Sequence, residues 1–403
     1  MIRRISVVLF AAALVLGAAD RQAVVVKNGV PPIGPYSPAV FVGDYLYVSG
    51  QGAKTPDGQM AATFDGQVKQ TLENVRAVVE AAGLSMKNVV YTQVYLKDMS
   101  QFEEMNRVYS GYFPDSPPAR ATLGVANLPG QTTVEINAVA IRNLADKQVV
   151  QLPGTSMDEP VSPGVLTRDR LFISALRSKA DSPEAETEAA LQNMKAVLKA
   201  AGLKMDNVVF VNPYLTSAVP MQAMNHIYAR HFEFGNTPAR ATIEVTSLPG
   251  NAHIEFTGVA VRDLGTRKAI RPKNMPPSPT ASPCVFAGDT LYCSAKSGFI
   301  PGMNGGVFTP DLELQLRQTM RNLLDNLEEA GLKFEDVVST NVYLDDLSDF
   351  PTMNKLYAKY FGGIFPARTT VQQLAPTSRS KSSDDSYAEI EQISLIAVKA
   401  AQK

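Results

Sequence analysis

Three Pro-Ala-Arg triplets punctuate the chain, at Pro118–Arg120, Pro238–Arg240 and Pro366–Arg368. Glu135 follows Arg120 by fifteen residues, and Glu255 follows Arg240 by the same fifteen. A planar guanidinium grips a carboxylate bidentately and fixes the carbon beside it, which a lysine ammonium does less well. A carboxylate within hydrogen-bond reach orients an attacking water and shuttles its proton. An arginine and a glutamate facing one cleft therefore suit hydrolysis at a carbon next to a carboxylate. Two cysteines and three histidines leave little material for a zinc ribbon or an iron–sulfur site, so no metal is expected.

The triplets belong to a unit written three times. Unit one reads Ala82-Gly-Leu84, Asn88-Val-Val, Tyr95-Leu, Met105-Asn-Arg-Val-Tyr109 and Pro118-Ala-Arg120. Unit two repeats it as Ala201-Gly-Leu203, Asn207-Val-Val, Tyr214-Leu, Met224-Asn-His-Ile-Tyr228 and Pro238-Ala-Arg240. Unit three gives Ala330-Gly-Leu332, Asp336-Val-Val, Tyr343-Leu, Met353-Asn-Lys-Leu-Tyr357 and Pro366-Ala-Arg368. The triplets lie 120 and 128 residues apart. Such periods mean tandem domains rather than a solenoid, consistent with the two to four domains that 403 residues suggest.

Each unit has the same order of elements. A hairpin, Ala39–Val42 and Tyr45–Ser49 about Gly43-Asp44, precedes a helix carrying Val68, Leu72, Val75, Val79 and Ala82 and stopped by Gly83. Val89–Leu96 alternates as a strand, and Ser100-Gln-Phe-Glu103 reads as a capping box opening a second helix. Ala119–Ala126 and Thr133–Ile141 close the unit through Leu128-Pro-Gly130. The result is an α+β unit, ββαβαββ, with two helices on one face of a sheet. The other face must be buried, and a ring of three units, an intramolecular pseudo-trimer, buries it. A turn centred between Leu128 and Pro129 would set Glu135 opposite Thr122 and make Arg120 its diagonal neighbour on one face.

The expected segments are a leader at 1–19 and units at 20–145, 146–265 and 266–403. In the leader, Arg3 and Arg4 precede the apolar run Ile5–Leu16 and the small residues Gly17-Ala18-Ala19. That pattern reads as a signal peptide cleaved after Ala19, with an uncleaved anchor as the alternative. The mature protein is expected to be exported, periplasmic or secreted, and free of the membrane. Lys+Arg 38 against Asp+Glu 39 gives a net charge of −1 with no like-charge run, so no nucleic-acid partner is expected. Cys284 and Cys293 flank a hairpin about Gly288-Asp289 whose two-residue turn makes them a non-hydrogen-bonded pair. They form either a disulfide, in an oxidising compartment, or two buried thiols.

Gly34-Pro-Tyr-Ser37, Ser49-Gly-Gln51, Asn106-x-x-Tyr109, Pro118-Ala-Arg120 and Val134-Glu-Ile136, in that order, resemble the RidA/YjgF family, also called L-PSP endoribonucleases. The resemblance spans all three units. It implies a chorismate-mutase-like fold, trimers with ligand clefts between subunits, and no cofactor; here one monomeric chain would mimic the trimer. It further implies hydrolysis of 2-imino/enamine acids to 2-oxo acids and ammonia, the partner being such an acid or another small carboxylate. Arg120 then matches the family's carboxylate-binding arginine and Glu135 its glutamate. Tyr36 would close the cleft, while Gly50, beside Ser49, would let a backbone amide approach the ligand. Asn106, Asn225 and Asn354, Arg240, Glu255 and Arg368 are the remaining candidate binding residues; the structural alternative for the asparagines is bonding to backbone across the ring.

The copies differ. Unit two has Val161 for Tyr36 and Ala175 for Gly50; unit three keeps Arg368 but has Gln392 for the glutamate, with Glu391 and Glu389 nearby. One complete site based on unit one is therefore expected. The competing readings are a non-catalytic small-carboxylate binder or chaperone-like scaffold, an endoribonuclease as in the older family name, and a carbamate or amide hydrolase. His226, His231 and His253 lack the basic–aromatic surroundings a ribonuclease would want, and no Gly-x-Ser-x-Gly elbow supports the last reading.

Overall fold

The computed structural model describes residues 21–152, 159–176, 178–273, 275–302, 305–374, 379–381 and 386–399. The expected leader and much of the Ser-rich stretch before Tyr387 lie outside these residues.

Apolar residues at helical spacing drive helix α1, Phe64–Ala81, onto its sheet through Val68, Leu72, Val75, Val78 and Val79. Gly83, at φ +76°, ends it in the left-handed conformation that glycine adopts without strain. Helix α2, Phe102–Ser110, starts differently from the sequence expectation. Asp98, not a Ser100–Glu103 box, accepts the Ser100 amide at 2.9 Å and opens a short 3-10 turn, Met99–Gln101, ahead of the helix. Units two and three repeat the pair as α3, Pro183–Ala200, with α4, Met221–Tyr228, and as α5, Leu312–Glu329, with α6, Phe350–Tyr357.

The sheet of unit one runs, from edge to edge, Gln22–Val24, Ala39–Val42, Tyr45–Gln51, Val134–Ile141, Val89–Leu96 and Ala119–Gly124. The last two strands are parallel, with Thr92 beside Arg120, because helix α2 crosses over between them. Val134–Ile141 lies on the far side of Val89–Leu96 and pairs Glu135 with Tyr95. The expected hairpin between the last two strands of the unit is therefore absent, and Glu135 does not oppose Thr122. Unit three has the same order, ending in Ala367–Gln372 at one edge, while unit two splits its edge strand into Ala239–Arg240 and Ile243–Glu244.

Alternation sorts the side chains by face. Val134, Ile136, Ala138 and Ala140 enter the core beneath the helices. Tyr95, Ala121 and Leu123 point the other way, into a cluster shared with Tyr214 and Ile243 of unit two and Tyr343 and Val371 of unit three. The three sheets thus bury their free faces against one another. The ring is stitched by three equivalent serines. Ser49 accepts the Arg368 amide at 2.8 Å, Ser174 the Arg120 amide at 2.9 Å and Ser294 the Arg240 amide at 2.8 Å. The first of these joins residues 319 apart and closes the circle.

Cys284 and Cys293 face each other across the hairpin in the expected register and form a disulfide with Cα atoms 4.0 Å apart.

Candidate active site

Strand parity separates the two residues that spacing had joined. Arg120 sits beside Thr92, whose hydroxyl meets Tyr109 on the helix side of the sheet. Glu135 sits beside Tyr95, on the ring side. They occupy opposite faces of one sheet, so the pairing of Arg120 with Glu135 is corrected. Each arginine lies on an edge strand and reaches into the cleft it shares with the next unit.

The first cleft, between units three and one, encloses a cavity of about 80 Å³ lined by Tyr36, Gly50, Glu135, Phe350 and Arg368, among others. Glu135 is 6% exposed. Neither of its oxygens bonds to another described residue, and they turn toward the cavity. Burial pushes its carboxyl up to about 8, with Arg368 opposing that rise. A Cβ on Gly50 would overlap Glu135 Oε1, so glycine here makes room for the acid rather than for the ligand alone. Asn74 holds the adjoining wall by donating to the carbonyls of Gly52 and Lys54, each at 2.8 Å.

Arg368 is 3% exposed and makes no ion pair with a described residue. Its guanidinium lies 5.1 Å from the ring centres of both Tyr36 and Tyr357 and 5.5 Å from that of Phe350. These negative aromatic faces replace the carboxylate a buried cation would otherwise require. Nη2 and the neighbouring Asn354 Oδ1 have no hydrogen-bond partner among the described residues. The loop at Gly34 lies directly over both, and any side chain there would collide with them. The Tyr36 hydroxyl accepts the Ile33 amide at 3.2 Å, which leaves its own proton for a ligand.

In the second cleft, between units one and two, the arginine already holds a carboxylate of the protein. Arg120 donates to Asn106 Oδ1 at 2.8 Å and to Glu159 at 3.2 Å, so a carboxylate of the protein faces its guanidinium. Glu255 is buried on the ring face beside Tyr214, and Val161 and Ala175 replace Tyr36 and Gly50. The third cleft, between units two and three, has Arg240 braced by Asn225 at 2.7 Å and Gln392 at the glutamate's register position opposite Tyr343. Glu391 turns instead under α5 to Thr319.

The candidate residues thus divide between clefts. Tyr36, Gly50, Glu135, Asn354 and Arg368 come together; Arg120 and Asn106 belong to the second cleft, Arg240 and Asn225 to the third. Ser49 spends its hydroxyl on Ser37 and on the Arg368 amide, so it positions the arginine rather than binding ligand. Phe350 and Glu159 were missed by sequence reasoning. Phe350, at the start of the helix bearing the Asn-x-x-Tyr motif, could have been found from that motif; Glu159 carries no repeat signal.

The endoribonuclease L-PSP family profile matches residues 26–142, 164–262 and 274–379. A RutC family protein from Pyrococcus horikoshii is 40% identical over 124 residues, covering 30% of this chain and 98% of the relative. The 2-iminobutanoate/2-iminopropanoate deaminase of Escherichia coli K12 is 37% identical over 125 residues, covering 30% and 98% respectively. Among solved structures, the Escherichia coli YjgF gene product is 36% identical, covering 30% of this chain and 99% of its own, with a TM-score of 0.30. Escherichia coli TdcF with bound serine is 33% identical, with the same coverage and TM-score. With a match in each of its three units, the chain belongs to the endoribonuclease L-PSP (RidA/YjgF) family, present here as three copies in tandem.

Proposed function

We propose that the first cleft hydrolyses small 2-imino or enamine acids to 2-oxo acids and ammonia. The observation that carries this reading is a buried arginine, without an ion-pair partner among the described residues, sharing one small cavity with a buried glutamate whose carboxyl burial pushes up to about 8. Arg368 receives the substrate carboxylate and orients the adjacent C=N carbon. A neutral Glu135 does not repel that carboxylate. It gives its proton to the imine nitrogen, and the carboxylate so formed takes a proton from water as the oxygen adds to the carbon. The same proton passes to the nitrogen, and ammonia leaves as the hydroxyl returns its proton to the Glu135 carboxylate and becomes the carbonyl. A group whose pKa sits near the working pH serves both directions of this transfer. The named activity of the Escherichia coli deaminase supports the reaction class, and serine in TdcF supports a cleft for small amino-acid-like ligands.

The test is turnover of 2-iminopropanoate and 2-iminobutanoate generated in situ by an amino-acid oxidase, with semicarbazide competing for the imine. Protein that lowers semicarbazone formation, with the effect lost in Glu135→Gln, supports the reading. Folded wild-type protein without effect on either imine overturns it.

A further inference from the structure

The third cleft, about 740 Å³, is larger than the first, about 80 Å³, and its chemistry differs. The glutamate's place is taken by Gln392, whose amide donates to Thr242 O at 3.0 Å and to Gln373 Oε1 at 2.9 Å. An amide so engaged neither accepts nor supplies a proton for hydrolysis. The carboxylate-binding half of the site is nevertheless intact. Arg240 is braced by Asn225 and held over the Tyr228 ring at 5.2 Å, with no ion pair to any described residue. The second cleft shows what a closed site looks like, with Glu159 on its arginine; the third has no counterpart to that contact among the described residues.

Into the same cleft comes Lys296, two residues after the serine that holds the Arg240 backbone and at the position of Gln51 in unit one. It makes no hydrogen bond or ion pair with a described residue, so none of these spends its amine. Burial lowers its pKa and favours the neutral, nucleophilic form. Glu389 lines the cleft as well, held by burial at about 7 and able to lend a proton near neutrality.

We propose that this cleft is a second ligand site, which captures a 2-oxo acid reversibly as a Schiff base on Lys296 while Arg240 binds its carboxylate. The neutral amine adds to the C2 carbonyl, forming the C–N bond of a carbinolamine. Protonation of the carbinolamine oxygen, with Glu389 as donor, releases water and leaves the protonated imine beside the Glu389 carboxylate, which can take that proton back; hydrolysis reverses the step. No oxidant, reductant or bound group is consumed. This inference concerns a different cleft and stands whether or not the first one deaminates.

The test uses the full-length protein with pyruvate or 2-oxobutanoate and cyanoborohydride, which adds hydride to an imine carbon and fixes the adduct as a secondary amine. Intact mass and peptide mapping then locate the modification. The expected result is one adduct per chain on Lys296, absent in Lys296→Gln and lowered roughly tenfold or more in Arg240→Met, where the charge-assisted contact is gone. Lys296→Gln installs the residue that unit one carries, and Lys296→Arg, which keeps the charge without the nucleophile, is the second variant; both are checked for folding by circular dichroism. Adducts spread over surface lysines and unchanged in both variants would overturn the proposal. So would a Lys296 adduct formed equally well with acetone and insensitive to Arg240→Met, since the arginine would then have no part in it.

Discussion

Removing the charge at Arg368 and at Arg120 separates two arginines that look identical in sequence. Methionine keeps most of the aliphatic stem and its packing while deleting the guanidinium. At Arg368 the lost contact is a bidentate, charge-assisted one to substrate, at about 1.5–3 kcal/mol per bond. The sum, about 3–6 kcal/mol, corresponds to a fall in kcat/KM of roughly 10²–10⁴-fold. Stability should change little, by about 1 kcal/mol or less, because Arg368 makes no ion pair and its buried charge is removed together with its aromatic contacts. Arg120→Met should do the reverse. It removes the Arg120 ion pair from Glu159, which is 20% exposed at the side chain, and takes from Asn106 Oδ1 the Arg120 donor, for a stability loss of about 1–3 kcal/mol. Its turnover in the folded fraction should remain near wild type. The measurements are imine turnover by the semicarbazide competition and urea unfolding of the same preparations. Arg120→Met that folds but loses turnover tenfold, beside an Arg368→Met that keeps it, would refute the assignment of the working site to the first cleft.

Gly50→Ala should cut turnover strongly, because the added methyl overlaps Glu135 Oε1, whereas Ala295→Gly in the third cleft should leave imine turnover unchanged; steady-state kinetics on both variants decides this. Glu135 has its pKa raised from 4.5 to about 8, so the folded state holds a proton that the unfolded chain has released across that window. Stability should therefore fall as pH rises from about 4.5 to about 8, and Glu135→Gln should make the slope of unfolding free energy against pH less negative by about one proton, read from urea midpoints. Glu391 stands at the register position of Val134 and Ile254 and is fully buried with Oε2 unpartnered. Glu391→Val should raise stability by about 1–3 kcal/mol in thermal or urea unfolding, since unit one already tolerates the matching Thr71 hydroxyl without a partner.

Much of the fold was legible because it is local. Helical spacing at Val68–Val79, the glycine stop at Gly83 and the two-residue turn at Gly288-Asp289 each depend on a few neighbouring residues, and the turn also aligned Cys284 with Cys293. The need for a ring could be read as well, since a sheet with one face under helices must bury the other. The hairpin expected between Ala119–Gly124 and Val134–Ile141 failed because a short connection was taken to mean adjacent strands. Helix α2 instead returns its strand parallel to Val89–Leu96, at the edge.

Sequence alone determined which residue types the site contains: an arginine after Pro-Ala, a glutamate on an alternating strand, a tyrosine after Gly-Pro, and glycine where two other copies have alanine. It also determined that only one copy retains all of them. Which arginine serves which glutamate was decided by tertiary structure. Side-chain direction along a strand is set by parity, but the partner across a cleft is set by the order in which three domains close a ring. Arg368 and Glu135 lie 233 residues apart in the chain and meet only because Ser49 receives the Arg368 amide at the point of closure. The same closure placed Glu159 on Arg120 and left Arg240 and Lys296 facing a cleft with no ion pair on either among the described residues. Three copies of one unit thus acquired three different electrostatic environments from contacts no single unit encodes.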